Sequence, residues 1–182
     1  MEIYTSEKNS SKSVNVSSRI DRNLYELLVE DAKIKGISIN SLMNVIVKKY
    51  VDWGRFSDEL GLASISKRSL GKIFENLSDE TIEQISKEIG GIILKELIFL
   101  KHDTLNFENI IDVIKTNGTR FGFVKHIEQN STHIINIHHG INRNFSKFLA
   151  ETHKELAEDL SIKLTIDYLD ERLIRLKIQK PE

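Results

Sequence analysis

Apolar and polar residues alternate near the start of the chain and then recur at helical spacing. Over residues 14–20, VNVSSRI, the alternation has the two-residue period of a half-buried β-strand. Between a possible cap at Asp21 and a stop at Gly36, the spacing predicts a helix whose apolar face holds Leu24, Leu27, Leu28 and Ala32. Ser38 can cap a second helix, whose predicted apolar face holds Ile39, Leu42, Met43, Ile46, Tyr50 and Trp53.

The remainder of the pattern predicts a separate α+β domain. Residues 55–66 read as a linker, and the domain is expected over 67–182. Helices are predicted near 67–77, 79–101 and 107–117, with Asn117-Gly118 ending the third. Gly90-Gly91 can either kink the long helix or admit another element closely, and both alternatives remain open. Two predicted β-hairpins, with strands at 121–128 and 132–139 and at 162–169 and 172–178, flank a helix over 144–159.

Composition narrows the class of protein. The 182 residues include no cysteine, which excludes disulfides and thiolate metal sites and suits a cytoplasmic protein. We expect no membrane span and no secretory signal, and the polar residues 1–12 are expected to form a flexible arm. Because the formal net charge is −1, any surface that binds nucleic acid must be local. Residues 1–56 carry nine Lys and Arg against seven Asp and Glu.

The first region, residues 13–54, is too small to be stable alone. One strand and two helices in about forty residues cannot bury a sufficient core. A lone strand also leaves its backbone edge unpaired. Pairing with the same strand of a second copy would satisfy those groups and bury the second helix between subunits. The pattern therefore predicts a homodimer, and a tetramer is also possible.

The ordered set of these features resembles a known family. The Arg19-Ile20-Asp21 junction, the Leu24/Leu28/Ala32 spacing and the turn over 36–42, GISINSL, are similar to those of the ribbon-helix-helix DNA-binding proteins of the Arc and MetJ type. Ser18 and Asp21 depart from the family pattern, which has an apolar residue and a proline there. The resemblance covers about forty residues. It implies a β-α-α fold, an intertwined homodimer and insertion of a two-stranded ribbon into the major groove of double-stranded DNA.

Strand alternation and the resemblance together predict the contact residues. If Val14, Val16, Ser18 and Ile20 face the helices, the outward positions are Asn15, Ser17 and Arg19, which we expect to contact bases. The N-terminus of the second helix is the expected phosphate clamp, formed by Ser38, Ile39 and Asn40. Lys8, Lys12 and Arg22 can add ion pairs to phosphates.

The role of the second region is open between effector sensing, oligomerisation and partner binding. His126, His133, His138 and His139 lie on or beside one predicted hairpin, where His126 would face His133 across the strands. Imidazoles suit zinc, nickel or copper, but the spacing fits no known metal motif, so we assign no metal and no cofactor. Residues 138–144, HHGINRN, could hold an anion at a helix start or simply cap that helix.

Three interpretations follow from these features. A sequence-specific transcriptional regulator, expected to act as a repressor, is the leading one. The alternatives are an antitoxin-like protein-interaction module and a metal-responsive repressor that uses the histidines of the second region. The chain has no P-loop, Rossmann fingerprint, G-x-S-x-G or H-E-x-x-H motif, so we expect neither catalytic residues nor enzymatic activity.

Overall fold

A computed structural model of the chain describes residues 14–57 and 59–180. The chain divides into two compact units, Met1–Lys48 and Lys49–Glu182. The predicted arm over 1–12, including Lys8 and Lys12, lies outside the described residues. None of the helices in these ranges combines the length and the hydrophobicity that a membrane span requires.

The first unit consists of an exposed segment followed by a helix-turn-helix pair. Helix α1 covers Arg22–Ile34, and α2 begins at Ile39 and ends at Lys49. The predicted strand over 14–20 is not confirmed, because these residues have no regular secondary structure and all are exposed. A β-strand depends on hydrogen bonds to a neighbouring strand, and no strand among the described residues pairs with this segment.

The second unit is a mixed α/β structure built from helices and a four-stranded antiparallel sheet. After a π-helical turn at Tyr50–Gly54, its elements in chain order are α3 Arg55–Ser57, α4 Lys67–Glu75, α5 Asp79–Ile85, a second π-helical turn Ser86–Gly90, α6 Gly91–His102, α7 Phe107–Phe121, β1 Phe123–Gln129, β2 Thr132–His138, α8 Arg143–Asp159, β3 Lys163–Leu169 and β4 Leu173–Gln179. Two β-hairpins flank α8, as the sequence pattern predicts.

The sheet has the strand order β1-β2-β4-β3, so the two hairpins join through β2 and β4. A two-residue turn at Asn130 and Ser131, with φ of 49° and 59°, connects β1 to β2. Positive φ at both positions matches the right-handed twist of the strands. Helices α7 and α8 pack on one face of the sheet. That face contributes the fully buried side chains Ile135, Ile137, Ile174, Leu176 and Ile178.

Two glycine-containing stretches resolve what the sequence left open or predicted wrongly. Helix α7 continues through Gly118 to Phe121, so the predicted stop at Asn117-Gly118 is wrong. A Cβ at Gly118 would lie 2.8 Å from the Val124 side chain, so this glycine permits close packing rather than a left-handed cap. Gly90 ends the π-helical turn and lies against Thr152 of α8, so the structure shows the second alternative, the close approach of another element.

The segment between the predicted domains contributes to the second unit. Phe56, which lies within the predicted linker over 55–66, is 4% exposed and belongs to the main hydrophobic core. Leu60 packs partly buried against the same core. These side chains extend the second unit towards the N-terminus beyond the predicted start at residue 67.

Candidate nucleic-acid interface

The segment over residues 14–20 presents all three predicted base-contacting side chains to solvent. Asn15, Ser17 and Arg19 are exposed. Within the part of the chain that the structure describes, the Arg19 guanidinium makes no hydrogen bond or ion pair. A free guanidinium can donate two hydrogen bonds to the O6 and N7 acceptors of guanine. These side chains therefore have the chemistry and the accessibility that reading a base edge requires.

The apolar positions of the same segment are exposed as well. Val14 and Val16 are 81% and 83% exposed. The apolar residues of this alternating segment are therefore not buried within one chain. Ile20, next to α1, is 37% exposed. An alternating segment whose apolar side chains find no cover in its own chain has the pattern of a strand that is completed by another strand.

The start of α1 is fixed by a side-chain cap. The Asn23 amide donates to the Asp21 carboxylate at 2.9 Å, which satisfies one of the free amides of the first turn. Arg22 lies beside this cap and donates from Nε to Glu26 Oε1 at 3.0 Å. Both side chains are largely exposed, and such i,i+4 pairs contribute only about 0.3–0.5 kcal/mol. A phosphate can therefore compete with Glu26 for Arg22.

The N-terminus of α2, the predicted phosphate clamp, presents free backbone amides. Gly36, with φ of 65°, makes the left-handed turn that ends α1. The Ser38 hydroxyl then accepts from the Ser41 amide at 3.1 Å, and the first helical bond runs from the Leu42 amide to the Ser38 carbonyl. The Ile39 and Asn40 amides remain without a bond inside the described chain. They lie at the positive end of the helix dipole, where an anion is favoured.

Most of the large apolar side chains in the described part of the first unit are exposed to solvent. Among its described residues, 14–48, only the side chains of Ala32 and Leu42 are buried. The large apolar residues that remain exposed in this unit are Val14, Val16, Ile20, Leu24, Tyr25, Leu27, Val29, Ile34, Ile37, Val45, Ile46 and Val47. So many exposed apolar groups in so short a stretch mark an interaction surface.

Sequence reasoning missed one row of this surface. It recognised the apolar face of α1 through Leu24, Leu27 and Leu28, but not the neighbouring row formed by Tyr25 and Val29, which are 47% and 41% exposed. The signal was available as a second i,i+4 spacing of apolar residues. The additional row widens the apolar surface of α1 beyond the single stripe that an ordinary surface helix buries.

Two of the four histidines of the second unit are in contact. In the β1–β2 register His126 lies opposite Ile135, and His133 lies opposite Glu128, so the predicted direct pairing of the two histidines is replaced by a diagonal one. The turn at Asn130-Ser131 is centred one residue later than a direct pairing of His126 with His133 requires, which shifts the register by two positions and keeps both rings on one face. The rings stack at 13°, and His126 Nε2 lies 3.0 Å from His133 Nδ1. One ring must therefore donate the proton that the other accepts.

The remaining two histidines are directed elsewhere. The His138 ring lies against Phe123, whereas His139 is fully buried and bonded to Ser146. No group of three or more His, Asp or Glu able to hold a metal ion occurs within residues 14–57 and 59–180. Two adjacent imidazoles supply two metal ligands, while a tetrahedral site needs at least three from the protein. Within the described residues, this hairpin therefore brings only two imidazoles, those of His126 and His133, into contact.

The helix start over residues 142–144 shows mainly capping and bracing contacts. Asn142 accepts from the Phe145 amide at 2.9 Å and donates to the Gly71 carbonyl at 2.7 Å. Asn144 donates to the Phe74 carbonyl at 2.9 Å. These two amides join the start of α8 to α4 and to the residues that follow α4.

Comparison of the sequence with known family models and with curated proteins gives no match.

Proposed function

We propose that this protein is a sequence-specific DNA-binding transcriptional regulator that acts as a homodimer. Residues 14–20 of two copies would form a two-stranded ribbon in the major groove, and the second unit would regulate binding. The observation that carries the proposal is the first unit itself, in which two side chains are buried and a long series of apolar ones is exposed. The ribbon-helix-helix resemblance supplies the arrangement in which a second copy covers that series.

The energetics favour a partner for this unit. Fully burying one valine, leucine or isoleucine side chain contributes about 1.5–3 kcal/mol. Twelve large apolar side chains are exposed over residues 14–48. Covering even part of them offsets the cost of association, which is about 4–15 kcal/mol. A second copy offers the same apolar series, and its residues 14–20 offer the hydrogen-bond partner that the isolated segment lacks.

Two kinds of contact to DNA would then act together. Asn15, Ser17 and Arg19 would read bases, because their side chains are exposed and Arg19 is unpaired in the described chain. The free amides of Ile39 and Asn40 would hold a phosphate and so fix the position of the ribbon, with Ser38, which caps the helix, beside them. Arg22, together with Lys12, would add ion pairs to the backbone. This function requires no catalytic group, and we place it in the cytoplasm.

The test compares matched variants on a selected operator. Duplexes that the full chain retains from a random-sequence pool would define the operator, and fluorescence anisotropy would then measure affinity. Arg19→Ala is expected to weaken operator binding at least about tenfold, because a bidentate arginine–guanine pair contributes about 1–3 kcal/mol of discrimination. Affinity for unrelated duplex DNA should change much less. Lys33→Ala removes an exposed cation of the same unit that is not among the predicted contacts, and it should leave the specificity ratio unchanged.

The phosphate clamp is tested separately. Asn40→Asp places a negative charge at the N-terminus of α2, where it repels phosphate, and it should weaken binding to operator and unrelated DNA by similar factors. If the full chain selects no sequence from the pool, or if Arg19→Ala binds operator with unchanged specificity, the proposed function is wrong.

A further inference from the structure

The second unit contains an open, cationic cleft that the proposed function does not use. Residues 140–144, part of the helix start for which the sequence left an anion site open, form one of its walls. Its volume is about 840 Å³, within the usual range of about 300–1,000 Å³ for sites that bind small molecules. It lies between the start of α4, the loop before α8 and the β3–β4 turn. The charged side chains that line it are Lys67, Arg68, Lys72, Arg143 and Arg172, with Glu75 and Glu171 as the acidic ones.

The positive charge of this cleft is only partly neutralised, since five cationic side chains and two acidic ones line it. Lys72 is paired with Glu75 at 2.6 Å. In the described portion of the chain, by contrast, no hydrogen bond or ion pair engages the guanidinium groups of Arg68, Arg143 and Arg172. The three arginines are exposed and line one open space in which no carboxylate pairs with them. An anion in that space can accept their hydrogen bonds.

The walls of the cleft are fixed to each other by hydrogen bonds. Lys67 Nζ donates to the His139 carbonyl at 3.0 Å, which ties α4 to the loop before α8. The amides of His139 and Gly140 both donate to the Arg172 carbonyl, at 2.9 and 3.2 Å, which ties the same loop to the β3–β4 turn. Gly140 adopts φ of 63°, which few side chains tolerate, so the turn that brings these segments together depends on glycine.

The buried His139 side chain forms hydrogen bonds that fix the same loop. Its Nδ1 accepts from the Ile141 amide at 3.1 Å, and its Nε2 lies 2.7 Å from Ser146 Oγ. The cationic side chains therefore belong to segments whose backbone is held in place by hydrogen bonds. Such preorganisation lowers the entropy cost of binding. Arg143 is also the first residue of α8, a helix of 17 residues, so the helix dipole adds to the positive field of the arginines.

We infer that this cleft binds a small molecule that carries two or more phosphate groups. Arginine forks match phosphate oxygens in pairs, and three unpaired arginines with Lys67 exceed what one carboxylate can satisfy. The volume accommodates a molecule the size of a nucleoside triphosphate. The inference is independent of DNA binding by the first unit, since every lining residue belongs to the second.

The experiment is isothermal titration calorimetry of the full chain, without DNA, at low ionic strength. The probes are sodium phosphate, sodium pyrophosphate and ATP without Mg²⁺. We expect pyrophosphate and ATP to bind more tightly than phosphate. Arg68→Ala, Arg143→Ala and Arg172→Ala should each weaken ATP binding about tenfold, since a hydrogen bond to a charged group contributes on that scale. Arg143→Lys keeps the charge but loses the fork, and it should weaken binding less than Arg143→Ala.

Three controls make the result decisive. Lys163→Ala removes an exposed cation of β3 outside the cleft and should leave ATP affinity unchanged. Unchanged thermal unfolding of each arginine variant would show that the fold is intact. Arg19→Ala should bind ATP like the parent chain, so the failure of the DNA-binding proposal would be distinguishable. The inference is overturned if no probe binds, if Lys163→Ala weakens binding as much as the arginine variants, or if those variants reduce only the affinity for duplex DNA.

Discussion

Two buried histidines, His139 and His153, make the stability of the second unit depend on pH. His139 accepts from a backbone amide and is fully buried, and His153 lies 2.5 Å through Nδ1 from the Leu149 carbonyl. His153 Nε2 is buried without a hydrogen-bond partner in the part of the chain described. Burial lowers the pKa of each ring from the ordinary value of 6.5 to about 4. Both rings are therefore neutral in the folded protein at pH 7.

Acid should destabilise this unit through those rings. In the unfolded chain each histidine binds a proton below pH 6.5, whereas in the folded chain it does so only near pH 4. Their contribution to stability is thus complete above pH 6.5 and is lost as the pH falls towards 4. His153→Leu removes one of the two groups and should reduce the difference between the free energies of unfolding at pH 7.5 and pH 5, measured by urea titration. An equal difference in His153→Leu and in the parent chain would refute the assignment.

At the scale of elements, the contact between Gly90 and α8 governs how the long helical segment packs. The segment from Asp79 to His102 contains a π-helical turn, Ser86–Gly90, whose last residue lies against Thr152. A Cβ at Gly90 would be 2.2 Å from Thr152 Oγ1, and Thr152 is itself buried. A Cβ at Gly91 would meet Glu155 Cγ at 3.4 Å, Glu155 Cβ at 3.7 Å and the Leu156 backbone nitrogen at 3.9 Å, which are ordinary van der Waals distances. A side chain at Gly90 would therefore clash with α8, whereas one at Gly91 would fit.

This difference gives a matched pair of variants. Gly90→Ala forces α8 or Thr152 to move and should lower the free energy of unfolding by about 1–3 kcal/mol, as overpacked cores do. Gly91→Ala is expected to be neutral or to stabilise the protein by up to about 1 kcal/mol, because alanine favours the helix. Urea unfolding of both variants at pH 7.5 measures the effects. Equal effects of the two substitutions would contradict the close approach at Gly90.

The sequence predicts the elements of the second unit well but not the details that depend on partners in space. Periodicity identified the two hairpins and the helix between them because one face of each element is apolar and the other polar. Gly118 was taken for a helix end because a buried glycine that admits Val124 has the same local signature as a cap. Of the cleft, the sequence indicated only the helix start over residues 138–144, for which an anion site was one of two alternatives. Lys67, Arg143 and Arg172 are far apart in the sequence, and only the packing of α4 on α8 and the β3–β4 turn brings them together.

For the whole molecule, the two units differ in whether they complete their own core. Every member of the main buried cluster lies between Phe56 and Ile178, in the second unit. The predicted DNA-contacting residues lie in the first unit, which buries almost nothing by itself. The part of the molecule proposed to bind DNA is thus the part whose folding would be coupled to assembly. Stability of the first unit should then depend on protein concentration, whereas that of the second should not.

Substitution of Val16 tests this coupling directly. In the isolated chain Val16 is almost fully exposed, so Val16→Asp disturbs no buried contact and should not affect a monomer. In a ribbon formed by two copies, Val16 is predicted to face the helices, and the substitution loses about 1.5–3 kcal/mol of burial in each copy and places a charge there. Because the dimer contains the residue twice, its dissociation constant should rise at least about a hundredfold. Sedimentation equilibrium over a range of concentrations measures that change.

The control is Asn15→Asp. It adds the same charge one position earlier, on the outward side, and is expected to leave the dimer intact. A parent chain that is monomeric at every concentration, or a Val16→Asp variant that dimerises as the parent does, would show that the exposed apolar residues of the first unit have another purpose.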